Sequence, residues 1–351
     1  MRLLLKQWRV AVIALAGSLT ALTGCATPGG GSATSSLTFV SFGGDYQKAQ
    51  SVAMVQPFAA QHSDIKVVED QPTDYAKIKT MVDAKDVKWD VVDADPFWAI
   101  GNCDKYAEKL DFTVIDKSKM PQAFVSDCAV PSMTYSYVLM YNKDKYGANP
   151  PQGWADFFDT TKFPGTRAME NNYIGGGLEA ALLADGVPAD GLYPIDYSRA
   201  FKKLDTIKSN LKFWKTGAEG QQMLENNQVD MGIFWSGRAY KAVSNGAPFA
   251  AQWNQNLSVY DVFMIPKGSP NKAAAMTFIA YATSAQAQAK LTENISYAPI
   301  NSDAKPNVDS SLQQFLTSDP AIAGKTIPLG QKYYATNQEQ ASAQWTKWTT
   351  G

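Results

Sequence analysis

The chain has 351 residues, 45% of them hydrophobic and 19% charged, and a formal net charge of −1. No Lys/Arg run or basic patch occurs beyond the amino terminus, which leaves nucleic-acid binding without an electrostatic footing. A single histidine, His62 in the polar run Ala60-Gln61-His62-Ser63-Asp64, nearly excludes Ser-His-Asp catalysis and histidine-based metal sites.

The amino terminus reads as an export signal. Arg2, Lys6 and Arg9 precede an apolar run over 10–22 and then Leu22-Thr23-Gly24-Cys25. A basic start, an apolar segment too short for a stable span, and small residues at a cleavage site make up that signal. The cysteine just after the site resembles the bacterial lipobox, which implies cleavage before Cys25 and diacylglycerol on its sulfur. The mature chain is then a lipoprotein anchored in the periplasm. Removing 1–24 takes away three positive charges and no negative ones, so the formal charge moves from −1 to −4. Residues 25–36, the lipidated Cys25 and a Gly/Ser/Thr-rich stretch, read as a flexible tether. No later segment is long and apolar enough to span a bilayer. In an oxidising compartment the other two cysteines, Cys103 and Cys128, form a structural disulfide.

From 37 onward strands alternate with helices. Leu37-Thr38-Phe39-Val40-Ser41-Phe42 reads as a strand, followed by Gly43-Gly44 and a helix over 46–62. Ile65-Lys66-Val67-Val68-Glu69 is a strand, 75–84 a helix, and Trp89-Asp90-Val91-Val92-Asp93 a third strand. Asp95-Pro96 opens another helix. Strands at 138–142, 165–169, 230–235 and 260–265, with helices after Gly175-Gly176-Gly177 and over 272–280 and 285–293, complete an α/β pattern of parallel sheet flanked by helices. Ligands on such sheets sit beyond the carboxyl ends of strands. Two turns in that position are Phe42-Gly43-Gly44-Asp45-Tyr46 and Asp95-Pro96-Phe97-Trp98.

The most informative turns are Phe234-Trp235-Ser236-Gly237-Arg238 and the strand Val259-Tyr260-Asp261-Val262-Phe263. They offer an indole, a guanidinium fork and a carboxylate, a set suited to a small ligand bearing both a cation and an anion. The carboxylate pairs Asp93/Asp95 and Glu69/Asp70 read as strand ends and solvated surface rather than acid–base machinery. No Walker A loop or dinucleotide fingerprint occurs. The chain reads as a binding protein, not an enzyme, with no cofactor and no metal.

The order and spacing of these motifs resemble a bacterial extracellular solute-binding protein of an ABC importer, in the branch of spermidine/putrescine and γ-aminobutyrate binders. The resemblance rests on Ser41-Phe42-Gly43-Gly44-Asp45-Tyr46, Trp89-Asp90-Val91-Val92, Trp154-Ala155-Asp156-Phe157-Phe158, the Val229–Arg238 run and Ile295-Ser296-Tyr297-Ala298-Pro299. It implies a two-lobe periplasmic-binding-protein fold (type II) with a two-strand hinge. Lobe 1 takes 37–141 plus 267–351 and lobe 2 takes 142–266, with crossings near 141–143 and 263–267. It also implies a monomer that passes its ligand to a membrane permease.

Carried over residue by residue, Trp235 matches the stacking indole, Asp261 the carboxylate for an ammonium, and Tyr46 and Tyr297 the cleft tyrosines. Gly44 and Asp45 lie in the opening turn, Phe97 or Trp98 at an aromatic position, and Glu170 and Asn171 near an acidic one. Arg238 stands where the polyamine binders have a small residue, and Gly43-Gly44 replaces a bulky pair. An arginine there repels a polycation, so the ligand carries a carboxylate beside its amine, as γ-aminobutyrate, amino acids and betaines do. The alternatives are an Arg238 that pairs with Asp261 or Glu170 around a polyamine, and an Fe³⁺-binding protein. The latter wants paired tyrosines with histidine or carboxylate ligands, whereas Tyr135 and Tyr137 are read as alternating along a strand rather than standing together, and the histidine is missing.

Overall fold

The computed structural model describes residues 35–351; the export signal, Cys25 and most of the tether lie outside the described residues. Among the described residues nine strands form one hydrogen-bonded sheet: β1 (Ser35–Val40), β2 (Ile65–Asp70), β3 (Val91–Ala94), β4 (Ala129–Asn142), β5 (Arg167–Glu170), β6 (Leu211–Trp214), β7 (Met231–Trp235), β8 (Phe249–Met264) and β9 (Thr326–Pro328). Their order is β2-β1-β3-β8-β4-β7-β5-β6, with β9 added along β8. One parallel group (β2, β1, β3) and a second (β7, β5, β6) flank the antiparallel pair β8–β4. Helices cover these strands in a mixed α/β arrangement, as the alternating pattern predicts.

β4 and β8 run for 14 and 16 residues, far beyond the short strands expected at 138–142 and 260–265. The expectation followed the apolar core of each segment and passed over Ser132, Thr134 and Ser136. These polar side chains are satisfied inside: Ser132 donates to Asp93 at 2.8 Å and Ser136 to Asn256 at 2.6 Å. Pro131, which has no N–H for a ladder, sits beside a register shift between Pro131 and Met133.

The helix expected over 46–62 is Gly44–Gln50 continued by Gln56–Gln61 through a π-helical turn at Ser51–Val55, just ahead of Pro57. Proline lacks the N–H that an unbroken helix would require there. His62 ends this run and stacks on Phe58 at 4.4 Å.

Helix Lys272–Ala282 returns to β1, where Phe278 packs on Phe39 and Phe58 at 5.2 and 5.1 Å. The last helix, Gln331–Thr350, reaches both parallel groups. Its Gln338 donates to the Phe97 carbonyl, while Trp345 donates to Asn171 and Trp348 to Asp205.

Cys103 and Cys128 are bonded, closing a separation of 25 residues with their Cα atoms 5.5 Å apart. A loop of that size restrains the unfolded chain by roughly 3 kcal/mol in the chain-entropy model. Replacing both cysteines by serine is expected to lower the melting temperature by several degrees, measured by calorimetry, with ligand affinity retained.

Candidate functional site

The site lies where strands of both parallel groups end against the central pair. After β1 the chain turns through Gly43 (φ 74°, ψ −174°), a conformation that suits glycine alone, and Gly44 (φ 59°), in the left-handed region that favours glycine. This turn aims the Gly43 carbonyl at Arg238, whose Nη2 donates to it at 2.7 Å. Arg238 lies on the first turn of helix Ser236–Ser244, directly after β7, and is 2% exposed. Its Nε and Nη1 are buried without a hydrogen-bond partner. No Asp or Glu among the described residues comes within salt-bridge distance of it. A cation buried beside the positive end of its own helix, with two idle donors, is an uncompensated charge that an anion would complete.

Four carboxyl groups share the neighbourhood. Asp93 accepts from Tyr46 Oη and Gln50 Nε2, both at 2.6 Å, and from Ser132 at 2.8 Å. Asp95 accepts from Tyr75. Glu170 is held through one oxygen by Tyr137 Oη at 2.8 Å and Trp235 Nε1 at 3.1 Å, and through the other by Asn172 at 3.3 Å. Asp261, 3% exposed, keeps Oδ1 buried with no partner. Burial pushes Asp93 up to about 7, Asp95 to about 6 and Glu170 to about 7, and with three neighbouring carboxylates it pushes Asp261 well above the usual range.

Aromatic rings wall the space between these charges. Tyr46 meets Tyr297 edge-on at 5.0 Å, Tyr135 lies 5.5 Å from Tyr297, and Trp235 stands edge-on to Tyr135 at 6.0 Å and Phe42 at 6.2 Å. Phe97 closes one end against Tyr173 at 6.0 Å.

Of the residues singled out in the sequence, Trp235, Arg238, Asp261, Tyr46, Gly44, Tyr297, Phe97 and Glu170 come together here. Asp45 sits at the rim, bonded to Gln221 at 2.9 Å and Lys48 at 3.1 Å. Trp98 packs behind the wall, stacked on Tyr75 at 4.8 Å. Asn171 is exposed and accepts from Trp345; its neighbour Asn172 is the residue on Glu170.

Two readings need correction. Asp93 is fully buried and Asp95 part-buried inside the cluster, not on solvated surface, because β3 ends among the tyrosines that bond them. Tyr135 and Tyr137 stand together, with rings 6.0 Å apart, because residues two apart on a strand share a face.

The carboxyl groups give the free protein a definite pH response. Each binds its proton more tightly folded than unfolded, so their contribution to stability is full below about pH 4 and is lost as pH rises towards 7. The melting temperature of the free protein is expected to fall between pH 5 and 7.5, and Asp93→Asn to flatten that slope. A calorimetric series with the same slope in both proteins would contradict this.

The comparisons with known proteins point one way. Residues 53–324 match the family model described as bacterial extracellular solute-binding protein. The chain belongs to that family. A γ-aminobutyric acid-binding protein of Pseudomonas aeruginosa is 34% identical over 322 residues, covering 89% of this chain and 90% of the relative. A solved structure described as a GABA receptor is 42% identical with a TM-score of 0.82, covering 89% of this chain and 97% of the other. The spermidine/putrescine-binding periplasmic protein of Escherichia coli is 23% identical over 260 residues, 69% and 72% of the two chains. These relatives of the solute-binding protein are transport proteins, not enzymes. No described helix is long and apolar enough to cross a membrane.

Proposed function

We propose that the protein captures a small zwitterion of the γ-aminobutyrate type and delivers it to the membrane permease of an ABC importer. The carrying observation is a buried guanidinium and a buried carboxyl group, each incomplete, the carboxyl being one whose ionisation burial opposes and an ammonium would restore. Arg238 has two donors without partners, and Asp261 has one oxygen without a partner. A carboxylate on the first and an ammonium on the second would satisfy both, with the alkyl stem against Trp235. The γ-aminobutyrate-binding relatives support the same reading.

In this reading the two parallel groups are the cores of two lobes that close over the ligand. β4 and β8 are the hinge strands, and they change neighbours midway: β8 pairs with β3 through Val262–Met264, and β4 with β7 through Tyr137–Tyr141. In this reading the hinge lies near 133–137 and 257–261, a little inside the crossings near 141–143 and 263–267 that the family resemblance implies. Cys25 is proposed as the lipid anchor that keeps the monomer at the membrane.

A polyamine is the second reading, favoured by four carboxyl groups around one arginine. Calorimetry of the purified protein with γ-aminobutyrate, a betaine, putrescine and butyrate separates the two. The zwitterion is expected to bind, and at a hundred times its Kd to add about 2.7 kcal/mol of stability. Binding of putrescine alone would shift the assignment to the polyamine, and binding of none of the four would sink both.

A further inference from the structure

The guanidinium of Arg238 is walled by backbone that carries no side chain. A Cβ on Gly44 would stand 2.9 Å from its Nη1; one on Gly217 would stand 2.9 Å from its Nε and 2.5 Å from Cζ3 of Trp235. The two nitrogens facing these glycines are the two buried donors without partners. The third nitrogen is fixed by the Gly43 carbonyl.

We propose that Gly44 and Gly217 are specificity determinants of the binding site, forming a slot without side chains that fixes the Arg238 fork for a carboxylate. The inference rests on the zwitterion reading above. An arginine has a long, flexible side chain, and its advantage over a point charge lies in the geometry of its fork. An added methyl group at either wall stands too close to leave that fork where it is. The walls are also tied to each other: Gln221, one turn beyond Gly217 on helix Gly217–Glu225, donates to Asp45, which follows Gly44. The slot is thus assembled from the start of the helix after β1 and the start of the helix after β6. Carboxylate selectivity then depends on both glycines and not on the arginine alone.

The two walls differ in what they touch, and that makes the proposal testable. The atoms nearest a Cβ on Gly44 all belong to Arg238, whereas those nearest one on Gly217 belong to Trp235 and then Arg238. Dissociation constants for γ-aminobutyrate and for n-butylamine, which keeps an ammonium and an alkyl stem but no carboxylate, and the melting temperature of each free variant, are measured by calorimetry. Gly44→Ala is expected to weaken γ-aminobutyrate about tenfold or more, the scale of one lost charged hydrogen bond, while n-butylamine changes little. Gly217→Ala is expected to weaken both ligands, because the indole moves as well. Its backbone is helical and tolerates alanine, so this variant stays informative if the strained φ at Gly44 makes the first one unfold. Unchanged affinity for both ligands in Gly217→Ala, or equal weakening of both in a folded Gly44→Ala, would overturn the slot. Failure of the unaltered protein to bind γ-aminobutyrate removes the zwitterion reading and the slot together; binding by that protein with both variants unaffected removes the slot alone.

Discussion

Arg238→Ala is expected to reduce affinity for γ-aminobutyrate by about two to three orders of magnitude. Removing one partner of a buried, hydrogen-bonded charge pair costs about 2–5 kcal/mol, and each 1.4 kcal/mol is a factor of ten. The free protein should melt at an unchanged or higher temperature. With no carboxylate among the described residues in salt-bridge distance and two donors unused, the arginine contributes desolvation cost rather than a completed ion pair. Calorimetric titration and scanning calorimetry on the same variant read the two quantities. An affinity equal to the unaltered protein's would place Arg238 outside the site. A large drop in melting temperature would make its bond to the Gly43 carbonyl structural.

Asp261→Asn is expected to have the next largest effect, a loss of about 10- to 150-fold in affinity for an amine-bearing ligand. That corresponds to the roughly 1.5–3 kcal/mol of a hydrogen bond to a charged group. Its Oδ1 is buried and unpartnered, and three neighbouring carboxyl groups oppose its ionisation. The isosteric amide relieves that repulsion, so the free protein should gain stability at pH 7.5 while ligand binding is lost. Glu170→Gln should weaken binding far less, because both its oxygens already serve Tyr137, Trp235 and Asn172. If the two variants lose equal affinity, Asp261 has no special claim on the ammonium.

Much of the fold was legible because its signals are local. Alternating apolar runs and helical segments place β1, β2, β3 and β7 within a few residues, and the turn after each strand is marked by glycine, proline or an aromatic. The long central strands were not legible in full. Their polar positions look like loop until partners from distant segments, Asp93 for Ser132 and Asn256 for Ser136, take up their hydrogen bonds.

The site divides in the same way. Trp235, Arg238 and Asp261 declare themselves by type and position, since an arginine beside an apolar strand is costly to bury without purpose. Asp93 and Asp95 do not, because a carboxylate at a strand end is ordinarily solvated. Only the tyrosines brought over from other segments, Tyr46 and Tyr75, turn them inward. Asn171 and Asn172 differ by one position, and only the turn after β5 decides which faces the cluster.

By itself, then, the sequence determined the α/β class, the cysteine pair available for bonding, and a candidate site set with one guanidinium. These depend on residue type and short-range spacing, which a chain carries before it folds. Tertiary structure decided how many carboxyl groups share the site, which donors of Arg238 stay unused, and that two glycines from separate segments wall it. Those are properties of contacts between residues far apart in the chain, where burial and low dielectric make the charged form of an ordinary side chain costly unless it has a partner.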